Sequence, residues 1–379
     1  MDKEGVTEKE ILENLRKAQE KDYRYADGKI FSSMCTSPYP FAKKVIELFV
    51  DSNLGDSGLF KGTKELENEA VRMLGSLLNN TNPCGFILSG GTEANITALW
   101  LARNMYGKAE PEIVVPEAAH FSFEKACNIL KLKMITASSN EDHSVNIDDV
   151  RKKISRNTIA LVGIAGNTEY GAVDDIELLS EIALEKKLYL HVDAAFGGFV
   201  LPFLKELGYP IKKFDFSIEG VNSITIDPHK MGLAPVPSGG LLLRDAELLK
   251  HIETSSPYLV EKKHYTLLGT RSGASAAATY AVLRLMGREG YKRNVEHCML
   301  LTLKLYNGLR NMELNVFEPK MNIVVFAHER QDAIADELLK KGWMISRTKK
   351  GEIRLVIMPH VREENVAALL KDLREILGI

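Results

Sequence analysis

Apolar and polar positions alternate along this chain in more than one rhythm. Residues 7–20 read as a helix, with Thr7 as N-cap and Glu10 at the capping-box position. Residues 39–51 form a second helical pattern through Phe41, Val45, Ile46 and Phe49. Neither segment makes a core alone, so both are expected to pack on another part of the protein or on a partner subunit. From residue 63, short apolar runs alternate with amphipathic stretches. The pattern predicts helix 63–78, strand 86–88, helix 92–106, strand 113–115, helix 121–131 and strand 133–137. Strand 159–164, helix 175–187, strand 188–192 and strand 222–226 continue it, and a strand at 240–243 is expected to close the sheet. Short apolar strands separated by helices imply a mostly parallel sheet covered on both faces. Beyond helices 275–286 and 290–311 the rhythm changes. Strand 322–327, helix 330–341, strands 343–347 and 352–358 and helix 363–377 read as a small C-terminal α+β unit. The expected organisation is an N-terminal helical segment (1–62), a large α/β domain (63–289) and a small α+β domain (290–379).

Composition narrows the function classes. Apolar residues make up 45% and charged residues 26% of the 379 positions, ordinary for a soluble globular protein. The net charge of −2 creates no field for nucleic acid or an anionic membrane. No apolar run approaches the roughly 18 residues of a spanning helix, and the charged stretch Met1 to Glu10 lacks the apolar core of a signal peptide. Cys35, Cys84, Cys127 and Cys298 lie far apart without C-x-x-C spacing, which argues against zinc and against a disulfide framework. A cytoplasmic, reduced protein is the expectation.

Two stretches carry candidate chemistry. Thr225-Ile226-Asp227-Pro228-His229-Lys230 places a lysine just past an apolar strand. Burial strips water from an ammonium and favours the neutral amine, which can attack a carbonyl and form a Schiff base. Leu190-His191-Val192-Asp193-Ala194-Ala195 ends another apolar strand on a carboxylate, where ligands bind in open α/β sheets. Alone, Lys230 reads first as a solvated turn residue, and Asp193 reads as readily as a helix cap. Together they suit pyridoxal phosphate, which needs a lysine for its aldehyde and an acid to keep its ring nitrogen protonated. Ser89-Gly90-Gly91-Thr92, between a strand and a helix, lets backbone N–H groups approach an anion at a helix N-terminus, and lacks the G-K-[ST] ending of a nucleotide loop. It reads as the seat of the cofactor phosphate.

With Asn53-Leu54-Gly55-Asp56, Ser89 to Asn95, Ala119-His120-Phe121-Ser122, His191 to Ala195 and Asp227 to Lys230, the chain resembles the pyridoxal-phosphate-dependent group II amino-acid decarboxylases of fold type I, most closely the archaeal L-tyrosine/L-aspartate branch. The likeness runs over nearly the whole chain, in the family's order. It implies that Gly91 and Thr92 contact the phosphate, with His229 near it, that His120 stacks on the cofactor ring, and that Ala195 packs on the other face. It makes Thr168 a candidate for the ring hydroxyl or the substrate carboxylate, although Asn167 stands where related enzymes have glycine. Thr270 would reach a neighbouring subunit's phosphate, which implies a homodimer with shared active sites and places residues 1–62 at its interface. Arg354 would bind the substrate carboxylate through its planar fork. Tyr258, His264 and Tyr265 lie where larger relatives carry a loop tyrosine that reprotonates the substrate, but this loop is short.

The resemblance implies α-decarboxylation of L-tyrosine to tyramine, for methanofuran, or of L-aspartate to β-alanine, for coenzyme A. Phe31, Met34, Leu59 and Phe60 as wall residues favour tyrosine, since aspartate requires a second cation. The competing readings are a carbon–carbon lyase of the sphingosine-phosphate-lyase type, suggested by Tyr265 to Arg271, and a catalytically silent binding protein of the same fold.

Overall fold

The strands form where β-branched and leucine-rich runs are bounded by turns, and they assemble into one twisted seven-stranded sheet. The computed structural model describes residue 1 and residues 3–379. The first elements are helices α1 (Glu8–Gln19), α2 (Phe41–Phe49) and α3 (Lys61–Leu77). The alternating part follows as β1 (Cys84–Leu88), α4 (Gly91–Tyr106), β2 (Glu112–Pro116), α5 (Ser122–Leu130), β3 (Lys133–Ala137), α6 (Ile147–Lys153), β4 (Thr158–Ile164), α7 (Ile176–Lys186), β5 (Tyr189–Asp193), α8 (Leu201–Glu206), β6 (Val221–Ile226) and β7 (Gly239–Leu243). The spatial order is β1-β7-β6-β5-β4-β2-β3, with β7 antiparallel to both neighbours and the other pairings parallel. The strand expected to close the sheet therefore lies inside it, and β1 and β3 are the edges. One face packs on α3, α7, α8 and the later helices through Leu74, Leu179, Ile182, Leu201 and Val192. The other packs on α4 and α5 through Leu99, Leu101, Phe123 and Val115.

After a two-strand ribbon, β8 (Thr254–Ser255) with β9 (Lys263–His264), the chain enters α9 (Gly273–Arg310). The two helices expected at 275–286 and 290–311 are one element, kinked where Gly287 adopts φ +54°. A left-handed residue inside a helix is tolerated because glycine has no Cβ to clash. The remaining elements are β10 (Asn315–Val316), β11 (Ile323–Ala327), α10 (Gln331–Lys340), β12 (Ser346–Arg347), β13 (Ile353–Val356) and α11 (Glu363–Leu377), with the four strands in one antiparallel sheet. Phe31 joins this sheet by donating to Met344 O and accepting from Val356 N–H. The two N-terminal helices differ in what they touch. α2 buries Ala42 and Val45 against Ala277, Ala278 and Val282 of α9, whereas α1 buries no residue within the chain. Thr7 does cap α1, accepting from Glu10 N–H. No helix among the described residues is long and apolar enough to cross a membrane.

A buried ion pair holds the end of β1, where the glycine loop begins. Glu67 of α3 is fully buried and accepts from Ile87 N–H at 3.0 Å, from Lys64 Nζ at 2.8 Å and from Arg271 Nη1, which also donates to Ile87 O. Burial alone would raise the Glu67 carboxyl, but the Arg271 and Lys64 charges and hydrogen bonds hold it below its ordinary 4.5. Its stabilisation is complete above that ordinary value and is lost as pH falls through the lowered folded value. Urea unfolding followed from neutral to acid pH should therefore lose stability less steeply in Glu67→Gln than in wild type. Arg271→Met, which strands the carboxylate, should cost about 3–5 kcal/mol at neutral pH.

Candidate active site

Because six of the seven strands run in one direction, their C-terminal ends share one edge of the sheet, where open α/β sheets bind ligands. The segments leaving β1, β2, β4 and β6, together with the end of β5, line a single cavity of about 330 Å³. Ser89, Gly90, Gly91 and Thr92 come from the β1–α4 turn and His120 from the turn before α5. Thr168 follows β4, Asp193 and Ala195 end β5, and Asp227, His229 and Lys230 follow β6. Ten of the sequence-predicted residues thus meet in one place, none more than four residues past the end of a strand. The inserted β7 shapes the loop. A Cβ on Gly239 would lie 2.4 Å from Gly90 Cα, so only glycine lets β7 carry the loop this close.

The cavity is strongly polar. Lys230 Nζ lies 3.2 Å from Asp227 Oδ2, so the ammonium is paired with a carboxylate and not simply stripped of water. Asp227 is buried, its Oδ1 has no partner among the described residues, and His229 Nε2 stands 3.7 Å from its Oδ2. Burial pushes the His229 imidazole below its ordinary range, against the opposing pull of Asp227. His120 Nδ1 accepts from Ser122 N–H at 3.2 Å, which leaves the ring proton on Nε2. Burial pushes this imidazole down too, with Asp193 opposing. Asp193 receives only donors, Ala195 N–H at 3.0 Å on Oδ1 and Asn95 Nδ2 at 2.9 Å on Oδ2.

Other expected residues lie elsewhere in the chain. Thr270 borders a smaller cavity with Ser89, Glu93 and Arg271. Tyr258 is exposed, while His264 and Tyr265 line a separate groove of about 930 Å³. The loop that carries them is tied down, because Asp56 accepts from Val260 and Glu261 N–H and His264 Nε2 donates to Gly55 O at 2.7 Å. None of these three side chains lines the cavity that holds Lys230 and Asp193. Arg354 stands behind the wall and donates to the carbonyl of Thr168 at 2.5 Å. The expected apolar wall is not in the cavity lining either. Phe31 is fully buried against Trp343, Met34 packs on the core and Leu59 is exposed.

Sequence reasoning missed three residues that shape the site. Asp227 was passed over beside the lysine, although an acid three residues before it at a strand end was a visible signal. Asn167, the departure from the family pattern, caps the Thr168 loop. Its carboxamide donates to His143 O and accepts from Tyr170 and Gly171 N–H. Asn95 closes the matching stretch Ser89 to Asn95 but was given no role of its own.

The residues fit pyridoxal phosphate on their own geometry. A Cβ on Gly91 would sit 2.9 Å from Asp227 Oδ2 and 3.3 Å from Ala195 Cβ, so the loop keeps its space open only with glycine, at the N-terminus of α4 where an anion is favoured. An amine and a carboxylate held by donors alone share the same cavity.

Comparison with known proteins agrees. Residues 62–329 match the pyridoxal-dependent decarboxylase conserved domain. A probable L-tyrosine/L-aspartate decarboxylase of Methanothermobacter thermautotrophicus is 50% identical over 356 residues, covering 93% of this chain and 98% of that protein. An L-aspartate decarboxylase of Thermococcus kodakarensis is 47% identical, covering 98% of each. Among solved structures, a sphingosine-1-phosphate lyase of Burkholderia pseudomallei superposes with a TM-score of 0.93 at 29% identity, covering 100% of this chain and 92% of that one.

Proposed function

The chain belongs to the pyridoxal-dependent decarboxylase family, and from that premise we propose that it releases the α-carboxylate of L-aspartate or L-tyrosine as CO₂. The observation that carries this reading is the convergence of Lys230, Asp193 and His120 on one cavity at the strand ends. Both relatives described above are named for L-aspartate, one also for L-tyrosine, which supports aspartate as the first substrate to test.

Lys230 would hold the carbonyl carbon of the cofactor, and Asp193 its ring nitrogen. His120 and Ala195 would pack on the ring, while Ser89, Gly90, Gly91, Thr92 and His229 would surround the phosphate. When bound, the cofactor supplies an electron sink for the pair left at Cα as the carboxylate departs. Arg354 and Thr168 orient that carboxylate. His120, with its proton on Nε2, is the donor within the chain suited to return a proton to Cα. Asp227 keeps the Lys230 amine in place between turnovers. Thr270, Tyr258, His264 and Tyr265 act, in this reading, on the site of a second copy in a homodimer. A cytoplasmic setting belongs to the same reading and is supported by the four free thiols.

The structural likeness to a sphingosine-1-phosphate lyase favours one second reading, carbon–carbon cleavage of a phosphorylated amino alcohol. Incubating the purified protein with pyridoxal phosphate and a panel of amino acids separates the two. CO₂ with stoichiometric β-alanine or tyramine is expected. No CO₂ from any amino acid, with an aldehyde released from a phosphorylated amino alcohol, would establish the lyase instead.

A further inference from the structure

Behind Asp193 lies a buried polar ladder that the steps above leave unused. His191 and Asp193 are two residues apart on β5 and so share a face. In the parallel pairing they stand beside Ser223 and Thr225 of β6. The residues that alternate with them, Leu190, Val192 and Ile224, go into the core on the opposite face. α4 covers the polar face and inserts Asn95. Asn95, His191, Ser223, Thr225 and Ser122 are all at most 1% exposed. Burying so many polar groups costs stability unless every one is paired.

They are paired, and in one direction. Asn95 Nδ2 donates to Asp193 Oδ2 at 2.9 Å and to Ser122 Oγ at 3.0 Å. Its Oδ1 accepts from Thr225 Oγ1 at 2.7 Å and from His191 Nε2 at 3.0 Å. His191 Nδ1 accepts from Ser223 Oγ at 2.7 Å. The carboxamide thus uses its full capacity of two donated and two accepted bonds. Turning it over would set its oxygen against a carboxylate, so Asp193 fixes its orientation. Burial pushes the His191 imidazole down to about 4, so it stays neutral and the donor order persists across the neutral range. Ser122 also donates its N–H to His120 Nδ1. One carboxamide therefore ties together the side chain expected at the cofactor nitrogen and the turn expected at the cofactor ring.

We propose that Asn95, backed by His191, is a positioning residue that holds the Asp193 carboxylate fixed relative to His120. This rests on the reading of Asp193 as the partner of the cofactor's ring nitrogen. A carboxylate held against the ring nitrogen keeps that nitrogen protonated.

The test compares holoenzymes of Asn95→Asp, Asn95→Leu, His191→Phe, His191→Gln and Asp193→Asn. Visible spectra, cofactor dissociation constants, kcat and KM would be measured, with melting curves of the cofactor-free proteins as the folding control. Both Asn95 variants should lose roughly 10- to 100-fold in kcat with little change in KM, the size expected for a hydrogen bond to a charged group. Their bound-cofactor absorbance should shift and their cofactor affinity fall. His191→Phe should move the same readouts in the same direction, and His191→Gln, which can still donate to Asn95 Oδ1, should recover most of the loss. If the Asn95 variants do not fold, the two His191 variants decide. Equal spectra and equal kcat for both overturn the proposal, as do Asn95 variants that change only the melting temperature. Should Asp193→Asn itself keep the wild-type spectrum and kcat, the reading of Asp193 fails and the proposal with it. A strong Asp193→Asn effect beside silent Asn95 and His191 variants sinks the proposal alone.

Discussion

Replacing Lys230 with arginine is expected to leave a folded protein that binds pyridoxal phosphate without the visible absorbance of the wild type and turns over at least about 10³-fold more slowly, a loss in the range seen when a covalent nucleophile is removed. Arginine is the informative replacement because of Asp227. That carboxylate is 2% exposed, has one oxygen without a partner among the described residues, and meets Lys230 at 3.2 Å. Alanine would strand a buried charge and destabilise the strand end, so lost activity would report folding as much as chemistry. Arginine keeps the positive charge beside Asp227 but offers no amine that can bond to a carbonyl carbon at neutral pH. The backbone there does not depend on the side chain, since Lys230 N–H donates to Asp227 O and His229 N–H to Ser238 O. Borohydride treatment should fix the cofactor on wild type and leave the variant unlabelled. A labelled Lys230→Arg protein would mean that another amine does the work.

How much of this was readable beforehand depends on where the information sits. β3 spans the expected 133–137 and α11 the expected 363–377, because each has a clean period and both ends are marked by a break in it. Order in the sheet is not written in such periods. β7 looks like any apolar strand, and its place between β1 and β6, which brings Gly239 against Gly90, rests on contacts between residues distant in the chain. The strand expected at 343–347 shrinks to Ser346–Arg347 because Trp343 leaves the ladder to pack on Phe31 and bond Asp372. The motif residues were readable because each follows a strand directly, and a parallel sheet brings strand ends together whatever their order. Residues acting through a second chain, or through another side chain as Asn95 does, carry no local period and no strand-end signal. The aromatic and apolar positions 31, 34, 59 and 60 misled for a related reason, since apolar character marks a core as readily as a pocket wall.

Arg354 carries the second large expectation. It lies in the middle of β13, where every residue is buried, and it is 4% exposed. A guanidinium in such a place needs partners for all its donors. Nε donates to Thr168 O, and Nη1 to Ser32 O at 3.2 Å and Ser346 Oγ at 2.8 Å, while Nη2 has no partner among the described residues. Burial pulls its pKa down to about 10, with Glu169 opposing, so it remains charged at neutral pH. A charged, buried donor without a partner, one residue behind a cavity wall, is what a substrate carboxylate would complete. Arg354→Met should therefore lower kcat/KM by about 10²–10³-fold, chiefly through KM, the size expected when one member of a desolvated charge pair is removed. Arg354→Lys should recover part of that, because it restores the charge but not the fork that also holds the Thr168 loop. Cofactor affinity should stay near wild type in both, since Lys230, Asp193, His120 and the Ser89 to Thr92 loop keep all their partners and, in the cavity lining, only the Thr168 carbonyl loses one. A fall in cofactor affinity with KM unchanged would instead make Arg354 a brace for the loop. The carboxylate would then have to be held by Thr168 and by groups from a second subunit.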